Sequence, residues 1–130
     1  MATLEEVRRI AMSLPGVAEG LLRPPPDIAA WRVHGRLFVF ERPLRKADHD
    51  ALGDAAPTGV IMGAHVPDEG VKLAWVRDEP DVFFTTPHFD GYAIVLFRLA
   101  PIGTERLDEV VELAWRSVAP KRLVRELDGA

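Results

Sequence analysis

The sequence contains no cysteine, which excludes disulfide bonds and thiolate sites for zinc or iron–sulfur clusters. No apolar run approaches the roughly 18 residues that a membrane-spanning helix requires. The N-terminal segment carries Glu5 and Glu6 and has too short an apolar core for a secretory signal peptide. We therefore expect a cytoplasmic protein with no membrane partner.

Several motifs that carry chemistry are also missing. No P-loop, G-x-G-x-x-G or G-x-S-x-G pattern occurs, so hydrolase and nucleotide-enzyme templates find no support. The four histidines are scattered without the spacing of a zinc motif: His34, His49, His65 and His88. We expect no metal and no cofactor. An enzyme with His88 as acid or base ranks last among the function classes.

The totals favour one domain with a sizeable core. The chain has 130 residues, 48% of them apolar, which predicts a single domain over residues 1–130. The net charge is −4, and a net acidic chain opposes the approach of DNA unless it carries a local basic face.

The segment from Val82 to Leu99 organises the prediction. Val82–Phe84 is β-branched and aromatic, Thr85–Gly91 contains turn residues, and Tyr92–Leu99 alternates in the manner of a strand. This pattern predicts a hairpin with two apolar faces. One face carries Ile94 and Leu96, and the other carries Val95, Phe97 and Leu99.

Hydrophobic periodicity and capping residues predict the remaining elements. These are a helix over 3–14 opened by a Thr3/Glu6 capping box, a hairpin of strands at 31–33 and 37–40, a short helix at 46–52 and a strand at 60–66. Helices at 104–118 (capped by Thr104) and from Pro120 follow. Residues 70–77 alternate as a strand would at Val71, Leu73 and Trp75, but the Asp68 cap favours a helix. The prolines at 24–26 predict an extended loop. Gly63 indicates a bulge or a close approach.

This order predicts an α+β fold, with an antiparallel sheet of about five strands covered on one face by helices. The tryptophans could stack bases on an exposed sheet, but their spacing favours burial of at least two of the three: Trp31, Trp75 and Trp115.

The turn of the central hairpin is the first candidate site. His88 could donate a proton or bind an anion with Asp90 orienting it, supported by Thr85, Thr86 and Tyr92. The alternative is a structural turn, in which the carboxylate and the threonines satisfy backbone groups.

Two basic clusters are the other candidates. Arg42, Arg45 and Lys46 could contact phosphates, although interleaved acidic residues favour a mixed, solvated surface. Lys121 and Arg122 occupy the first turn of the last predicted helix, where positive charge opposes the helix dipole. An anion there would remove the conflict, and so would carboxylate partners such as Glu126.

Four stretches together resemble the MmcQ/YjbR family. They are LPGV at 14–17, WRVHGRLFVFERPLRKAD at 31–48, FFTTPHFDGY at 83–92 and AWRSVAPKRL at 114–123. The resemblance implies a CyaY-like fold, a sheet packed against helices. It also implies DNA binding, because the sheet and hairpins of that family are similar to a double-wing arrangement.

Two function classes follow. The first is a non-catalytic nucleic-acid-binding protein, with DNA as partner, and it requires Arg42 and Lys121 to share one face. The alternative is a domain that binds a small molecule or anion, and it requires the His88 turn and the Lys121 helix start to converge over a pocket. The sequence leaves the oligomeric state open.

Overall fold

A computed structural model describes residues 2–22 and 28–129 of the chain. Over these residues the chain forms five α-helices and one open six-stranded sheet in which every neighbouring pair is antiparallel. The α+β class is therefore confirmed. No helix in the described ranges is long and apolar enough to cross a membrane.

The strands lie in the order β1-β2-β3-β4-β6-β5. Their bounds are β1 Val17–Leu22, β2 Ile28–Val33, β3 Arg36–Glu41, β4 Ile61–His65, β5 Phe83–Phe84 and β6 Ile94–Arg98. The helices are α1 Leu4–Met12, α2 Lys46–Leu52, α3 Glu69–Asp78, α4 Thr104–Val118 and α5 Lys121–Leu127.

The sheet has one strand more than the sequence predicted. The additional strand, β1, pairs along its whole length with β2. Its sequence, VAEGLL, contains a glycine and lacks the β-branched alternation that marks a strand. Backbone pairing with β2 stabilises this strand, which has little β-propensity of its own. The three prolines predicted to be extended lie outside the described residues.

The hairpin of β2 and β3 turns at His34 and Gly35. Both residues have positive φ, 51° and 75°. Two such residues in a two-residue loop match the type I′ turn, whose twist agrees with that of the flanking strands. The predicted hairpin is confirmed.

The first face of the sheet carries the main core. Helices α1 and α4 lie across it, and Trp31 and Trp115 are fully buried there. Each indole N–H has an acceptor, Glu19 for Trp31 at 3.2 Å and the Pro15 carbonyl for Trp115 at 3.0 Å. Burial of at least two tryptophans is confirmed.

The second face carries a smaller cluster. It consists of buried Ile61, Phe89 and Leu96 with partly buried Leu44, Phe84 and Ile94. The predicted alternation along β6 is confirmed, because Val95, Phe97 and Leu99 belong to the main core instead. The expectation that helices cover one face alone is wrong, since α2 and the segment 85–92 pack on the second face.

Local contacts correct one capping assignment. Thr3 and Asp68 accept the expected N–H bonds from Glu6 and Val71. Thr104 is not the cap of α4: Gly103 occupies that position, and the Thr104 hydroxyl donates to the Glu6 carboxylate at 3.1 Å. Gly63 makes the predicted close approach, because a Cβ there would lie 2.5 Å from the Phe40 ring.

Candidate functional site

Arg42 is a buried structural residue. Its side chain is almost completely enclosed, and the residue is 4% exposed. Its Nη1 lies 3.1 Å from the Asp48 carboxylate and donates to the Pro43 carbonyl at 2.6 Å. The guanidinium also lies 5.2 Å from the centroid of the Phe89 ring. With these partners Arg42 does not present its charge to a phosphate.

Asp48 explains why that charge is tolerated. Burial alone would raise the pKa of Asp48, but an N–H bond from Arg45 and the charge of Arg42 outweigh it and lower the pKa. Thr86 is buried, and its hydroxyl has no hydrogen-bond partner among the described residues. Burial in turn lowers the pKa of Arg42, while Asp48 opposes that shift. The pair joins β3 to the first turn of α2.

The other two members of this predicted cluster lie on the surface. Arg45 is exposed, and Lys46 is 91% exposed at its side chain. Lys46 forms an i,i+4 ion pair with Asp50 at 3.3 Å. A local acid therefore already neutralises part of this cluster.

The His88 turn forms a shallow recess on the second face. A short 3₁₀ turn, Pro87–Phe89, places exposed His88 edge-on to the Phe89 ring, with centroids 4.8 Å apart. The recess has a volume of about 210 Å³ and is lined by His88, Phe89, Tyr92 and Ile94. Asp90 is exposed on this turn, Thr85 is half-buried, and its hydroxyl lies 3.5 Å from the Thr86 carbonyl.

A residue that the sequence interpretation missed holds this turn in place. Lys72 of α3 is 1% exposed, and its ammonium donates to the carbonyls of Phe89 at 2.6 Å and Tyr92 at 3.0 Å. The Glu69 carboxylate accepts from the Gly91 N–H at 3.0 Å. Burial lowers the pKa of Lys72, against the charges of Glu69 and Asp90. A lysine on a weakly amphipathic helix carries no sequence signal for such burial.

The start of α5 meets the β2–β3 turn. Arg122 Nη2 lies 3.4 Å from His34 Nε2, and Arg36 Nη1 donates to the Val118 carbonyl at 3.3 Å. Lys121 follows three residues after that carbonyl and is exposed, as are the other three side chains. We call His34, Arg36, Lys121 and Arg122 the basic corner. The sequence interpretation included only the last two.

The basic corner lacks acidic neutralisation. Among residues 2–22 and 28–129, no carboxylate lies within 4 Å of the charged nitrogens of Arg36, Lys121 or Arg122. Its field also reaches His65, whose pKa is lowered first by burial and then by Arg36. The predicted Arg122–Glu126 pair is not among the described ion pairs.

The predicted site residues fall into separate places. Arg36 and Arg42 lie at opposite ends of β3, about 20 Å apart at the usual rise per residue. Helix α5 inserts Leu123 into the first-face core, whereas the His88 turn packs on the second face. The described contacts therefore do not place Arg42 beside Lys121, nor the His88 recess beside the start of α5.

Comparison with solved structures identifies the fold. The crystal structure of the Deinococcus radiodurans protein DR2400, a DUF419 domain, superposes with a TM-score of 0.67 and covers 98% of this chain and 89% of that one. Sequence identity is 15%, so this similarity concerns the fold alone.

Comparison of sequences identifies relatives of similar length. No family model matches the chain. The uncharacterised proteins Rv2570 and MT2646 of Mycobacterium tuberculosis and Mb2600 of Mycobacterium bovis are 51% identical over 128 residues, spanning 96% of this chain and 95% of each relative. At that identity and coverage, the chain belongs to the same family as these mycobacterial proteins.

Proposed function

We propose that the protein binds nucleic acid through the basic corner. The observation that carries this proposal is the group of exposed cations at the β2–β3 turn and the α4–α5 junction, in a chain of net charge −4. None of these cations has a carboxylate partner in the described part of the chain. Elsewhere Arg8, Arg42, Lys46, Arg77, Arg106 and Arg116 are paired with acids, whereas Arg9, Arg32, Arg45, Arg98 and Arg125 are the other described arginines without one. A concentration of unpaired positive charge is the footprint of phosphate binding.

The corner is also held in position. Arg36 is the first residue of β3, and its guanidinium donates one hydrogen bond to the Val118 carbonyl. Its other N–H groups can donate to phosphate oxygens. Arg122 and His34 approach each other across two elements that the main core orients. Because α5 has only seven residues, the proposal rests on side-chain charge and not on the helix dipole.

The resemblance to the MmcQ/YjbR family supports the same class of partner. DUF419, the domain of the Deinococcus protein, is a family of the MmcQ/YjbR type. The condition that Arg42 and Lys121 share one exposed face is not met, because Arg42 is buried, so the residues proposed here differ from those first chosen on the sequence. Lys121 and Arg122 remain, Arg36 and His34 are added, and Arg42, Arg45 and Lys46 drop out.

The test is a titration of a labelled 20-mer duplex and its single strand at about 50 and 200 mM salt. Three neutralised phosphates correspond to a log–log slope of about −2.7 for duplex DNA, or a roughly 40-fold loss of affinity between these salts. Absence of binding at 50 mM salt up to tens of micromolar protein would overturn the proposal.

A charge-matched pair of variants locates the face. Lys121→Glu/Arg122→Glu should abolish binding and its salt dependence, because it reverses two cations of the basic corner. Arg45→Glu/Lys46→Glu makes the same change in net charge on the other exposed cluster and should weaken binding only modestly. Equal losses in the two variants would indicate a response to net charge, not to the corner.

A second candidate function is the binding of a small anionic or aromatic molecule in the His88 recess. The recess itself, with Tyr92 61% exposed beside His88, favours this alternative. Tyr92 is the single tyrosine, so fluorotyrosine labelling reports on the recess through one ¹⁹F resonance. Movement of that resonance with benzoate or phosphate, but not with DNA, would favour the alternative.

A further inference from the structure

A second concave site lies on the same sheet face as the His88 recess, at the opposite end of β6. This groove has a volume of about 430 Å³ and opens between the segment after α2 and the edge strand β5. Most of its lining residues are apolar by type, while polar and apolar atoms share its surface about equally; they are Leu52, Ala55, Ala56, Pro57, Thr58, Pro80, Phe84 and Arg98. We call it the Arg98 groove.

Arg98 carries the one formal charge among the lining residues. Its Nη1 donates to the Asp81 carbonyl at 3.3 Å, and its Nε is buried without a hydrogen-bond acceptor. Within the described ranges, no carboxylate lies within 4 Å of this guanidinium. Most of its five donors therefore lack a described protein acceptor.

The neighbouring arginine on the same face shows what is missing. Arg42 and Arg98 flank Ile61 across the sheet, since Arg42 bonds to the Ile61 carbonyl and Arg98 pairs with Ile61. The structure supplies Asp48 to Arg42 but supplies Arg98 with a single backbone carbonyl. A partly buried guanidinium without an anion is costly, because buried charges are normally paired.

We propose that the Arg98 groove binds a monocarboxylate with an apolar chain or ring. The carboxylate would accept a charge-assisted, two-point hydrogen bond from Arg98, and the apolar part would lie against Leu52, Pro57 and Phe84. The volume falls within the range of small-molecule sites. Because Arg98 is the one charged lining residue, the groove matches one negative charge better than a doubly charged phosphate.

This site is independent of the basic corner. Arg98 aligns across β4 with the Arg42 end of the sheet, whereas Arg36 and Arg122 lie at the other end of β3. A ligand in the groove would contact none of the residues proposed for nucleic acid. The two proposals can therefore fail separately.

The test is an NMR titration of the full chain with sodium octanoate and, in parallel, 1-octanol. We expect octanoate to shift backbone resonances around Phe84 and Leu52 and to bind at least tenfold more tightly than octanol. Arg98→Met should weaken octanoate binding at least tenfold, and Arg98→Lys should retain part of it. Arg125→Met, at an exposed arginine on α5, should leave the affinity unchanged.

Three results would overturn the proposal. They are equal binding of octanol and octanoate, unchanged affinity in Arg98→Met, and absence of shifts at the groove up to about 10 mM octanoate. A dissociation constant above that concentration would be too weak for a specific site. If Arg98→Met does not fold, Ala55→Trp substitutes for it. Ala55 is exposed, and an indole there should block the groove while Arg98 stays in place.

Discussion

At the scale of single residues, the same side-chain type serves opposite purposes in this protein. Arg42 is enclosed and paired with Asp48, whereas Arg36 and Arg122 are exposed and have no acid within 4 Å among the residues that the structure describes. Burial with a partner makes an arginine part of the architecture, and exposure without one leaves its charge available for binding. The environment of each arginine, not its presence in a cluster, separates these roles.

We expect Asp48→Asn to destabilise the protein by about 3–5 kcal/mol, because the substitution leaves the Arg42 charge buried and unpaired. Urea denaturation at pH 7 measures this loss. Asp50→Asn is the control: its ion pair with Lys46 is exposed, so the loss should stay below about 1 kcal/mol.

Acid should act through the same residue. Since the folded state lowers the pKa of Asp48, its contribution is complete above the unfolded value near 3.9 and is lost as the pH falls through the folded value. Wild-type stability should therefore fall below about pH 4, and part of this fall should be absent in Asp48→Asn. Parallel pH profiles of the two proteins would contradict this assignment.

Gly16 has a conformational role in the turn between α1 and β1. Its φ is +71°, and a Cβ there would lie 2.8 Å from Leu123 Cδ1. We expect Gly16→Ala to cost about 1–3 kcal/mol, measured by urea denaturation. Gly20→Ala is the matched control, since its Cβ would meet only Arg32 at 3.5 Å, and its stability should change by less than about 1 kcal/mol.

At the scale of elements, α3 determines the shape of the His88 turn. Lys72 and Glu69 bind backbone groups of Phe89, Tyr92 and Gly91 from one side of the turn. The turn therefore depends on a helix more than ten residues away in sequence, and its own residues do not determine its conformation alone.

We expect Lys72→Met to loosen the turn and to destabilise the protein by about 1–3 kcal/mol, because the Tyr92 carbonyl loses its donor and the Phe89 carbonyl keeps only the Tyr92 N–H. Amide exchange over residues 87–92 and the ¹⁹F line of labelled Tyr92 measure the loosening. Lys46→Met, at an exposed lysine, should change neither. An unchanged amide exchange rate in Lys72→Met would show that the residues of the turn maintain its conformation without Lys72.

Alkali provides a second signature of Lys72. Its pKa is lower in the folded state than in the unfolded chain, so stability should rise as the pH increases from the folded value towards about 10.4. Lys72→Met should lack this contribution. An equal rise of stability with pH in the wild type and in Lys72→Met would show that groups other than Lys72 cause it.

At the scale of the whole molecule, one sheet joins two cores. The main core lies under α1 and α4, and the smaller one lies under α2 and the segment 85–92. Their side chains come from alternating positions of the same strands, as in β6. Neither face can lose its order without disturbing the backbone that both share, and this predicts one cooperative transition.

The variant Gly16→Ala/Lys72→Met tests this prediction, because Gly16 contacts Leu123 of the main core whereas the Lys72 ammonium binds the turn on the second face. We expect the two losses of unfolding free energy to add within about 0.5 kcal/mol, with a single transition by both tryptophan fluorescence and circular dichroism. Two separate transitions would show that the two faces unfold separately. A deviation from additivity above about 1 kcal/mol would show that the two sites are energetically coupled.

The sequence by itself determined the elements whose signals are local. Apolar periodicity and the caps Thr3 and Asp68 located α1 and α3, alternation located β6 with its two faces, and the turn at His34-Gly35 identified a hairpin. Strand β1 could not be found in this way, because VAEGLL becomes a strand only by pairing with β2.

Only the tertiary structure decided which charges are buried and which are free. Neighbours in sequence suggested that Arg42 belongs with Arg45 and Lys46, yet packing against Asp48 and Phe89 removes it from the surface. The same packing buries Lys72 and, within residues 2–22 and 28–129, leaves Arg98 without an acid. The physical reason is that a charge's environment depends on groups distant in sequence, which the fold alone brings within a few ångströms.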